Sequence, residues 1–374
     1  MWLFIIFSAF ILYTYLGYPL ILLLLGITRK AIPPPAPGTE LPSLSLLIPV
    51  YNEETVIVKK LDNALALDYP RKKLEIVVAS DGSTDRTVEL VRSYIDQGVC
   101  LLEYPENRGK MSVINRAIPE LTGELIVFTD ASAIFLKDAL RFLISGFEDQ
   151  LVGAVSGALV LKEEEEAGGE LSVDLYWRLE KFVRERESRW YSSVGATGAI
   201  YALRRKLFRP LPEDTILDDM MIPLGPVQQG YRIRFDSRAR ALEEGYTDLK
   251  LEFNRKVRTL VGNYQVFFRA FWSLIPGKSR VAFQMISHKL FRLLVPFALA
   301  GVLISCLLGP TALLPVLFLQ IIFYIFAGYG LFLTIRDRRC GKIFSVPLTF
   351  CLLNAAALRA TLIYFFQRKS LVWK

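Results

Sequence analysis

Hydrophobic positions follow two different patterns along the chain. Near the N-terminus, and again after residue 290, apolar residues continue almost without interruption. The first of these runs, Trp2–Ile27, exceeds the ~20 residues that a transmembrane helix needs. Three further runs lie near the end of the chain: Leu293–Leu308, Ala312–Ile335 and Ile343–Phe366. Between them the apolar residues come in short blocks separated by polar ones, which is typical of a water-soluble domain.

The first apolar run predicts an N-terminal transmembrane anchor over residues 1–28. The run lacks a basic start and a small-residue cleavage site, so it indicates a retained anchor rather than a signal peptide. Arg29 and Lys30 follow at once and predict that this end lies in the cytoplasm. Residues 29–42 are rich in proline and predict a stiff, extended linker.

The central part of the chain, residues 43–275, alternates between strand-like and helix-like patterns. The strand-like runs are Leu44–Val50, Leu74–Ala79, Leu125–Thr129 and Leu151–Leu161. Helical periodicity lies between the first three of these runs, at Thr55–Leu67, Thr84–Gln97 and Lys110–Leu121. Such alternation predicts a parallel, doubly wound α/β sheet.

Residues 276–374 predict a return to the membrane. Val281–Arg292 is amphipathic and suits the membrane interface. The last apolar run, Ile343–Phe366, contains Asn354 and Arg359, and basic residues beyond it favour the cytoplasmic side. Four full spans that start outside would place this tail outside. We therefore expect three spans, with the last run lying in the interface or re-entering.

Composition excludes several classes of function. The 374-residue chain has a mean hydropathy of +0.34 and a formal net charge of +8. Much of the positive charge borders the apolar runs, and no zinc, helix-turn-helix or RNA-binding signature is visible, so we expect no nucleic-acid partner. The single histidine, His288, argues against histidine-based catalysis. The four cysteines show no metal-ligand spacing and indicate reduced, structural thiols.

Two aspartates directly follow strand-like runs. Because open α/β sheets bind ligands at the carboxyl ends of their strands, Asp81 and Asp130 are candidate ligand contacts. Asp81 can accept hydrogen bonds from a nucleobase or ribose. Asp130 with Ser132 can hold Mg²⁺ or Mn²⁺, because Mg²⁺ needs only one or two protein carboxylates when phosphates and water complete its shell. The alternative for both aspartates is a capped strand-to-helix turn.

Other charged residues are candidates for proton transfer and phosphate binding. Asp218 and Asp219 lie between apolar residues, where two carboxylates are costly unless one of them faces a cleft or a cation. Asp219 is the candidate general base, with a helix-start cap as the alternative. Lys110 lies at a predicted helix start and suits a phosphate. Arg255 and Arg258 share a helix face and can neutralise a departing diphosphate, or else face solvent or lipid headgroups.

Three residues are candidates for an acceptor site. Trp177 lies in the helical pattern Asp174–Trp190 and can stack on a sugar, with core or lipid-facing packing as the alternative. Gly198 lies in the small-residue segment Gly195–Ala199, where a ligand can approach the backbone closely. Asp218, beside the candidate base, completes the set.

The order and spacing of these motifs resemble the family 2 glycosyltransferases with a GT-A domain. This family includes cellulose, chitin and hyaluronan synthases and many bacterial membrane glycosyltransferases. The resemblance covers roughly Leu44 to Ala270 and rests on IPVYNEE, SDGSTD, NRGK, TDAS, LDD and RKVR. It implies a GT-A-type doubly wound mixed sheet, flanked here by an N-terminal transmembrane anchor and C-terminal transmembrane or interfacial helices.

The resemblance also implies a role for each motif in a metal-dependent, inverting sugar transfer. Asp219 matches the catalytic base, and Asp130 with Ser132 matches the Asp-x-Asp site for Mg²⁺ or Mn²⁺. The implied contacts to the nucleotide sugar are Pro49, Tyr51, Glu53, Asp81, Lys110, Asp130, Arg255 and Arg258.

Two departures from the family pattern affect the expected function. Ser132 replaces the second aspartate of the metal motif, which weakens the expected metal site. Thr259 replaces a tryptophan that processive polymerases stack on the growing chain, so we expect transfer of one or a few sugars. The alternatives are a processive polysaccharide synthase and a membrane scaffold with a degenerate transferase domain. The absence of GxGxxG at the first strand–helix turn argues against a dehydrogenase.

The expected partners follow from the resemblance and the membrane segments. They are a nucleotide-sugar donor, with uracil as the expected base, a lipid-linked or polysaccharide acceptor, and membrane lipids. We expect an integral protein of a bacterial inner membrane with its catalytic domain in the cytoplasm.

Overall fold

Two compact units make up the chain, and we call them the sheet unit and the helical unit. The sheet unit comprises Thr28–Glu166, Arg184–Gly245 and Ser370–Lys374, and the helical unit comprises Met1–Ile27, Ala167–Val183 and Tyr246–Lys369. The computed structural model describes residues 1–26, 40–161, 172–244, 249–336, 338 and 340–367, with only the backbone of 172–177. Most of the predicted linker 29–42 therefore lies outside the described residues. The four-part division predicted from the sequence stays a prediction.

A mixed sheet of eight strands runs through the sheet unit in the order β3-β2-β1-β4-β7-β6-β8-β5. The strands are β1 (Leu44–Val50), β2 (Leu74–Asp81), β3 (Val99–Tyr104), β4 (Leu125–Phe128), β5 (Ile134–Phe135), β6 (Val152–Leu161), β7 (Tyr201–Arg204) and β8 (Arg232–Glu243). β1 pairs in parallel with β2 and β4, whereas β7 is antiparallel to both of its neighbours, β4 and β6. The GT-A-type mixed sheet expected from the sequence is confirmed.

Helices cover the sheet and complete its core. Every residue of β1 is buried, as expected for a central parallel strand with both faces covered. In chain order, the described helices up to residue 228 are α1 (Trp2–Gly26, in the helical unit), α2 (Ile57–Leu65), α3 (Thr87–Arg92), α4 (Lys110–Ala117), α5 (Ala139–Ser145), α6 (Ser172–Trp190, divided between the units) and α7 (Asp218–Gln228). Short 3₁₀ turns occur at Arg71–Lys73, Ile95–Gln97, Ile118–Glu120, Gly146–Glu148 and Arg205–Leu207.

The sequence pattern predicted β1, β2, β4 and β6 but missed β3, β5, β7 and β8. β8 carries charged residues along most of its length, and its buried positions alternate only in part, so it has no continuous apolar run. β7 is only four residues long, which is too short for a periodicity. Only the mixed character of the sheet was implied by the family resemblance, and the antiparallel pairing of β7 could not be derived from the alternation of strands and helices.

Long apolar helices form most of the helical unit. After α8 (Leu249–Arg269) and a 3₁₀ turn (Phe271–Leu274), they are α9 (Ala282–Leu308), α10 (Thr311–Ile335) and α11 (Lys342–Phe366). The predicted amphipathic segment and the following apolar run form one continuous helix, α9, with a π-helical turn at Met285–Leu290. In the described part of the chain, α1, α9, α10 and α11 are long and apolar enough to cross a membrane. Whether α11 spans the membrane or lies in the interface stays a prediction.

A buried carboxylate joins α6 to α9 within the helical unit. Glu180 is 5% exposed and lies 3.0 Å from His288 Nε2, 3.1 Å from Lys289 Nζ and 2.6 Å from Arg292 Nη1. Burial raises the pKa of Glu180, but these three basic side chains outweigh burial and hold its pKa well below the ordinary value. Glu180 is therefore an ionised carboxylate that offsets the positive charge at the start of α9.

We expect Glu180→Gln to destabilise the helical unit. The amide fills the same volume but leaves Lys289 and Arg292 without their buried counter-charge, a loss of about 3–5 kcal/mol for a broken buried ion pair. The folded-state pKa lies below the ordinary value of 4.5, so the stabilisation is present above that value and is lost as the pH falls through the folded-state pKa. Thermal unfolding in detergent should show a large difference at neutral pH that shrinks in acid.

Glu185→Gln is the matched control for this change. Glu185 lies on the same helix and pairs with Arg189 one turn away, but both side chains are about one-third exposed. Such pairs contribute little to stability, so this variant should unfold close to wild type. Equal unfolding temperatures for the two glutamine variants would show that Glu180 is not a stabilising counter-charge.

Candidate active site

The loops that follow β1, β2 and β4 meet at one edge of the sheet. These three strands are parallel neighbours, so their carboxyl ends point the same way. The edge therefore carries all three strand-end motifs noted in the sequence: Pro49–Glu53, Ser80–Asp85 and Thr129–Ser132. Pro49 is buried in β1, while Tyr51 and Glu53 are partly exposed in the loop.

The first two loops hold each other in place. Three successive backbone N–H groups of the first loop donate to side-chain oxygens of the second loop and of the helix that follows it: Asn52 to Ser83 Oγ at 3.1 Å, Glu53 to Thr87 Oγ1 at 2.8 Å and Glu54 to Asp85 Oδ2 at 3.1 Å. In return, the Thr84 N–H donates to Asn52 Oδ1 at 2.8 Å. The hydroxyls and carboxylate of the second motif thus shape the first loop.

Asp81 fixes the turn that precedes α4. Its carboxylate oxygens accept the backbone N–H groups of Arg108 at 3.1 Å and of Gly109 at 2.7 Å, and the residue is 1% exposed. The two segments approach so closely that a Cβ at Gly82, where φ is +70°, would lie 2.7 Å from the Asn107 nitrogen. Asp81 thereby positions the helix that begins with Lys110. Its predicted contact with a nucleotide stays a prediction.

Lys110 joins two carboxylates from different parts of the chain. Its Nζ lies 2.8 Å from Asp130 Oδ1, in the loop after β4, and 3.1 Å from Asp218 Oδ2, the first residue of α7. Burial lowers the pKa of Lys110, but the two carboxylates outweigh burial and raise it above its ordinary value. Lys110 is therefore a permanent cation at this edge, and the structure brings together three residues that the sequence analysis singled out separately.

Asp219 lies beside this cluster with a strongly altered affinity for protons. Burial raises its pKa to about 6, and Asp218 adds to the rise, while Lys110 and Arg184 oppose it. Its Oδ2 accepts the backbone N–H of Gly198 at 3.1 Å, which orients the carboxylate. A carboxylate with a pKa close to the working pH is suited to accept a proton from a reacting hydroxyl.

Gly198 lies close to the carboxylates of both Asp130 and Asp219. A Cβ added at this position would lie 3.1 Å from Asp130 Oδ2 and 3.7 Å from Asp219 Oδ2. Both oxygens therefore face the same small patch of backbone, and any larger residue would crowd them. The small-residue segment noted in the sequence is thus part of the same site as Asp130 and Asp219.

The residues after β4 suit a divalent cation that binds through oxygen. Ser132 is exposed, and its hydroxyl donates to Glu243 Oε1 at 2.9 Å, which leaves its lone pairs available. Within the described residues, no group of three His, Cys, Asp or Glu side chains forms a ready metal site. Mg²⁺ and related ions commonly use one or two carboxylates and take phosphate oxygens and water as further ligands. Asp130 with Ser132 fits a site of that kind.

Lys60 is a buried charge that the sequence analysis missed. It is 1% exposed, donates to Thr129 Oγ1 at 2.8 Å and also donates to the Ala133 carbonyl. Burial lowers its pKa to about 7, although Asp130 and Glu243 oppose this effect. A signal was present, because Ile57, Leu61 and Lys60 recur at helical spacing on the same buried face of α2.

Tyr201 and Glu53 add to the electrostatics of the site. Tyr201 is fully buried and stacks on Phe128, with ring centroids 4.6 Å apart. Burial and the nearby aspartates raise the pKa of Tyr201 well above its ordinary value, so its hydroxyl stays protonated. Burial, Asp130 and Asp85 likewise raise the pKa of Glu53. Both shifts reflect the dense negative charge at this edge of the sheet.

The remaining candidates from the sequence belong to the helical unit. Arg255 and Arg258 belong to α8 in the helical unit, about one turn apart on that helix. Trp177 lies in α6, but its side chain is outside the described residues. The predicted roles of these three residues stay predictions.

Comparison with known proteins identifies relatives of this chain. Residues 45–211 match the sequence profile of Glycosyl transferase family 2. The poly-beta-1,6-N-acetyl-D-glucosamine synthase of Staphylococcus aureus is 27% identical over 245 residues, which cover 64% of this chain and 59% of that protein. The probable glycosyltransferase YdaM of Bacillus subtilis is 28% identical over 259 residues, which cover 66% of this chain and 61% of that protein. The matched regions thus span about three-fifths of these relatives.

A solved structure shares the fold over nearly the whole chain. The mannosyltransferase PcManGT from Pyrobaculum calidifontis, in complex with GDP-Man and Mn²⁺, superposes with a TM-score of 0.74 at 24% identity and covers 98% of this chain and 100% of that one. The profile match covers Asp81 at the end of β2, Asp130 in the loop after β4 and the helix that begins with Lys110. Residues 45–211 therefore match the domain of Glycosyl transferase family 2, within a fold of the GT-A type.

Proposed function

We propose that this protein is an inverting glycosyltransferase that moves one or a few sugars from a nucleotide sugar to an acceptor at a membrane. One observation carries the proposal: the oxygens of Asp130 and Asp219 face the same glycine, Gly198, with the Lys110 ammonium bound to Asp130. The proposed group for the leaving diphosphate and the proposed group for the acceptor hydroxyl thus lie close to the same glycine. The family 2 match supports sugar transfer as the chemistry.

Asp219 is the proposed general base. With a pKa of about 6 it is ionised at neutral pH and still basic enough to take a proton from an acceptor hydroxyl. The Gly198 N–H holds one carboxylate oxygen, so the other can face the acceptor. A single base opposite the leaving group is the arrangement that inversion requires, by analogy with inverting glycoside hydrolysis.

Asp130 and Lys110 are the proposed contacts for the donor diphosphate. The Lys110 ammonium is available to pair with phosphate oxygens once a donor enters. A divalent ion bound by Asp130 and Ser132 would neutralise the charge that develops on the departing nucleoside diphosphate. Arg255 and Arg258 are proposed to add positive charge there. The proposed contacts to base and ribose are Pro49, Tyr51, Glu53 and Asp81.

The proposal also names candidates for the nucleotide of the donor and for the acceptor. A uridine nucleotide is the first candidate from the family resemblance, and guanosine is the second, because the mannosyltransferase with the same fold was solved with GDP-Man. The four candidate membrane helices favour a lipid-linked or polysaccharide acceptor in a bacterial inner membrane. A processive synthase is the second candidate function, which the 27% identical N-acetylglucosamine polymer synthase favours.

The test is release of nucleoside diphosphate from a panel of UDP- and GDP-sugars. Detergent-solubilised protein is assayed with Mg²⁺ or Mn²⁺ and with chelator, alongside Asp130→Ala. We expect metal-dependent release from one donor and at least a hundredfold loss in the variant, as for a lost electrostatic contact to the leaving group. If no sugar in the panel gives release of nucleoside diphosphate, and the protein binds no nucleoside diphosphate, the result would instead indicate a scaffold with a degenerate domain. Product length separates single transfer from polymerisation.

Replacing the proposed base should abolish turnover and spare donor binding. We expect Asp219→Asn to lower kcat by about 10²–10⁴-fold, the usual contribution of a general base. Nucleoside diphosphate binding, measured by calorimetry, should stay close to wild type. Asp214→Asn is the matched control, because Asp214 is an exposed carboxylate in the preceding loop. Activity of Asp219→Asn within threefold of wild type would refute the assignment.

The pH profile gives a second check on Asp219. Because the base must be ionised, kcat/KM should rise as the pH increases through about 6 and then level off. Arg184 lowers the pKa of Asp219, so Arg184→Gln should move this limb to higher pH. The measurement is the initial rate of diphosphate release across the acid and neutral range. A limb near the ordinary aspartate value in both proteins would contradict the role.

A further inference from the structure

The loop after β4 supplies only one carboxylate to the proposed cation site. It reads Asp130-Ala131-Ser132, so the second oxygen ligand is a neutral hydroxyl. A neutral hydroxyl is a weaker ligand for a divalent ion than a carboxylate, because it brings no net charge. A site built on these two groups needs another source of negative charge to match the affinity of a two-carboxylate site.

Glu243 is that source in the folded chain. It is the last residue of β8, is 5% exposed, and accepts the Ser132 hydroxyl hydrogen at 2.9 Å although the two residues lie 111 positions apart. A serine hydroxyl has one proton and two lone pairs. Since the proton is directed to Glu243, the lone pairs are turned outward, and Ser132 itself is exposed.

Lys60 shows that the carboxylates of Asp130 and Glu243 share one neighbourhood. Its buried ammonium bonds to Thr129 and Ala133, the residues that bracket the loop, and both carboxylates favour its charged form. Lys60 therefore offsets part of the repulsion between the two carboxylates and holds the loop at both ends.

We infer that Glu243 is a positioning residue for the divalent cation: it orients the Ser132 hydroxyl and supplies the negative charge that the loop lacks. The inference rests on the proposed function and names a residue for its cation site. Carboxylates that orient a ligand by hydrogen bonding typically change metal affinity by about 10–100-fold. A merely structural role of Glu243 would not depend on residue 132. The proposed role does, because Glu243 acts through Ser132, and a carboxylate placed directly at position 132 should make Glu243 dispensable for cation binding.

The test measures Mn²⁺ binding to the protein in detergent. Binding is monitored by electron paramagnetic resonance, first with Mn²⁺ alone and then with UDP or GDP present. We expect Glu243→Gln and Ser132→Ala each to weaken Mn²⁺ binding by about 10–100-fold. The double variant should be no weaker than either single one, because the two residues act as one unit. Ser132→Asp combined with Glu243→Gln should restore affinity to within a few-fold of wild type.

Glu244→Gln is the matched control. Glu244 is the next residue, carries the same charge and pairs with Lys59 at 3.7 Å, but its side chain is 77% exposed. This variant should bind Mn²⁺ like wild type. If Glu243→Gln also binds like wild type while Asp130→Ala does not, the inference is wrong and the cation site stands.

Two further outcomes overturn the inference in other ways. If wild-type protein binds no Mn²⁺ with or without a nucleotide, the cation site of the proposed function fails and the inference fails with it. If Ser132→Asp does not rescue Glu243→Gln while both variants keep the wild-type unfolding temperature, Glu243 does not act through position 132. Ser132→Ala keeps the test decisive should Glu243→Gln fold poorly, because Ser132 is exposed.

Discussion

Charge balance at the carboxyl edge of the sheet is the constraint on which the site depends. Asp130, Asp218 and Asp219 come from two distant segments and would repel one another without the Lys110 ammonium between two of them. Lys110 reaches that place because Asp81 holds the turn before α4 by two backbone N–H groups. The buried aspartate of one strand thus sets the position of the cation that allows the others to gather.

The two units bury charge with opposite signs. At the sheet edge, carboxylates outnumber the lysine that pairs with them, which suits a site that receives a cation and a hydroxyl proton. In the helical unit, one carboxylate, Glu180, lies among Lys289, Arg292 and His288, so basic groups outnumber it. The excess at the edge agrees with the proposed binding of a cation there, and the excess in the helical unit agrees with the proposed proximity of anionic headgroups.

Local sequence predicted the parts of the site that depend on a single strand end. β1, β2 and β4 are continuous apolar runs, so the placement of Asp81 and Asp130 at one edge followed from parallel pairing. Long-range contacts could not be predicted: no local pattern links Ser132 to Glu243 across 111 residues. Nor could a pattern show that both oxygens of Asp81 meet backbone N–H groups, since burial at a strand end depends on the loop packed against it.

The hydrogen bonds between the first two loops have a consequence for how this sequence can vary. The Asn52, Glu53 and Glu54 N–H groups depend on oxygens of Ser83, Thr87 and Asp85, and the Thr84 N–H depends on Asn52. Each segment is held in its conformation by the other, so the effects of substitutions in the two segments should be coupled although about 30 residues separate them. A chimera with a relative would have to exchange both segments together, and substitutions in one should be matched over evolution by changes in the other.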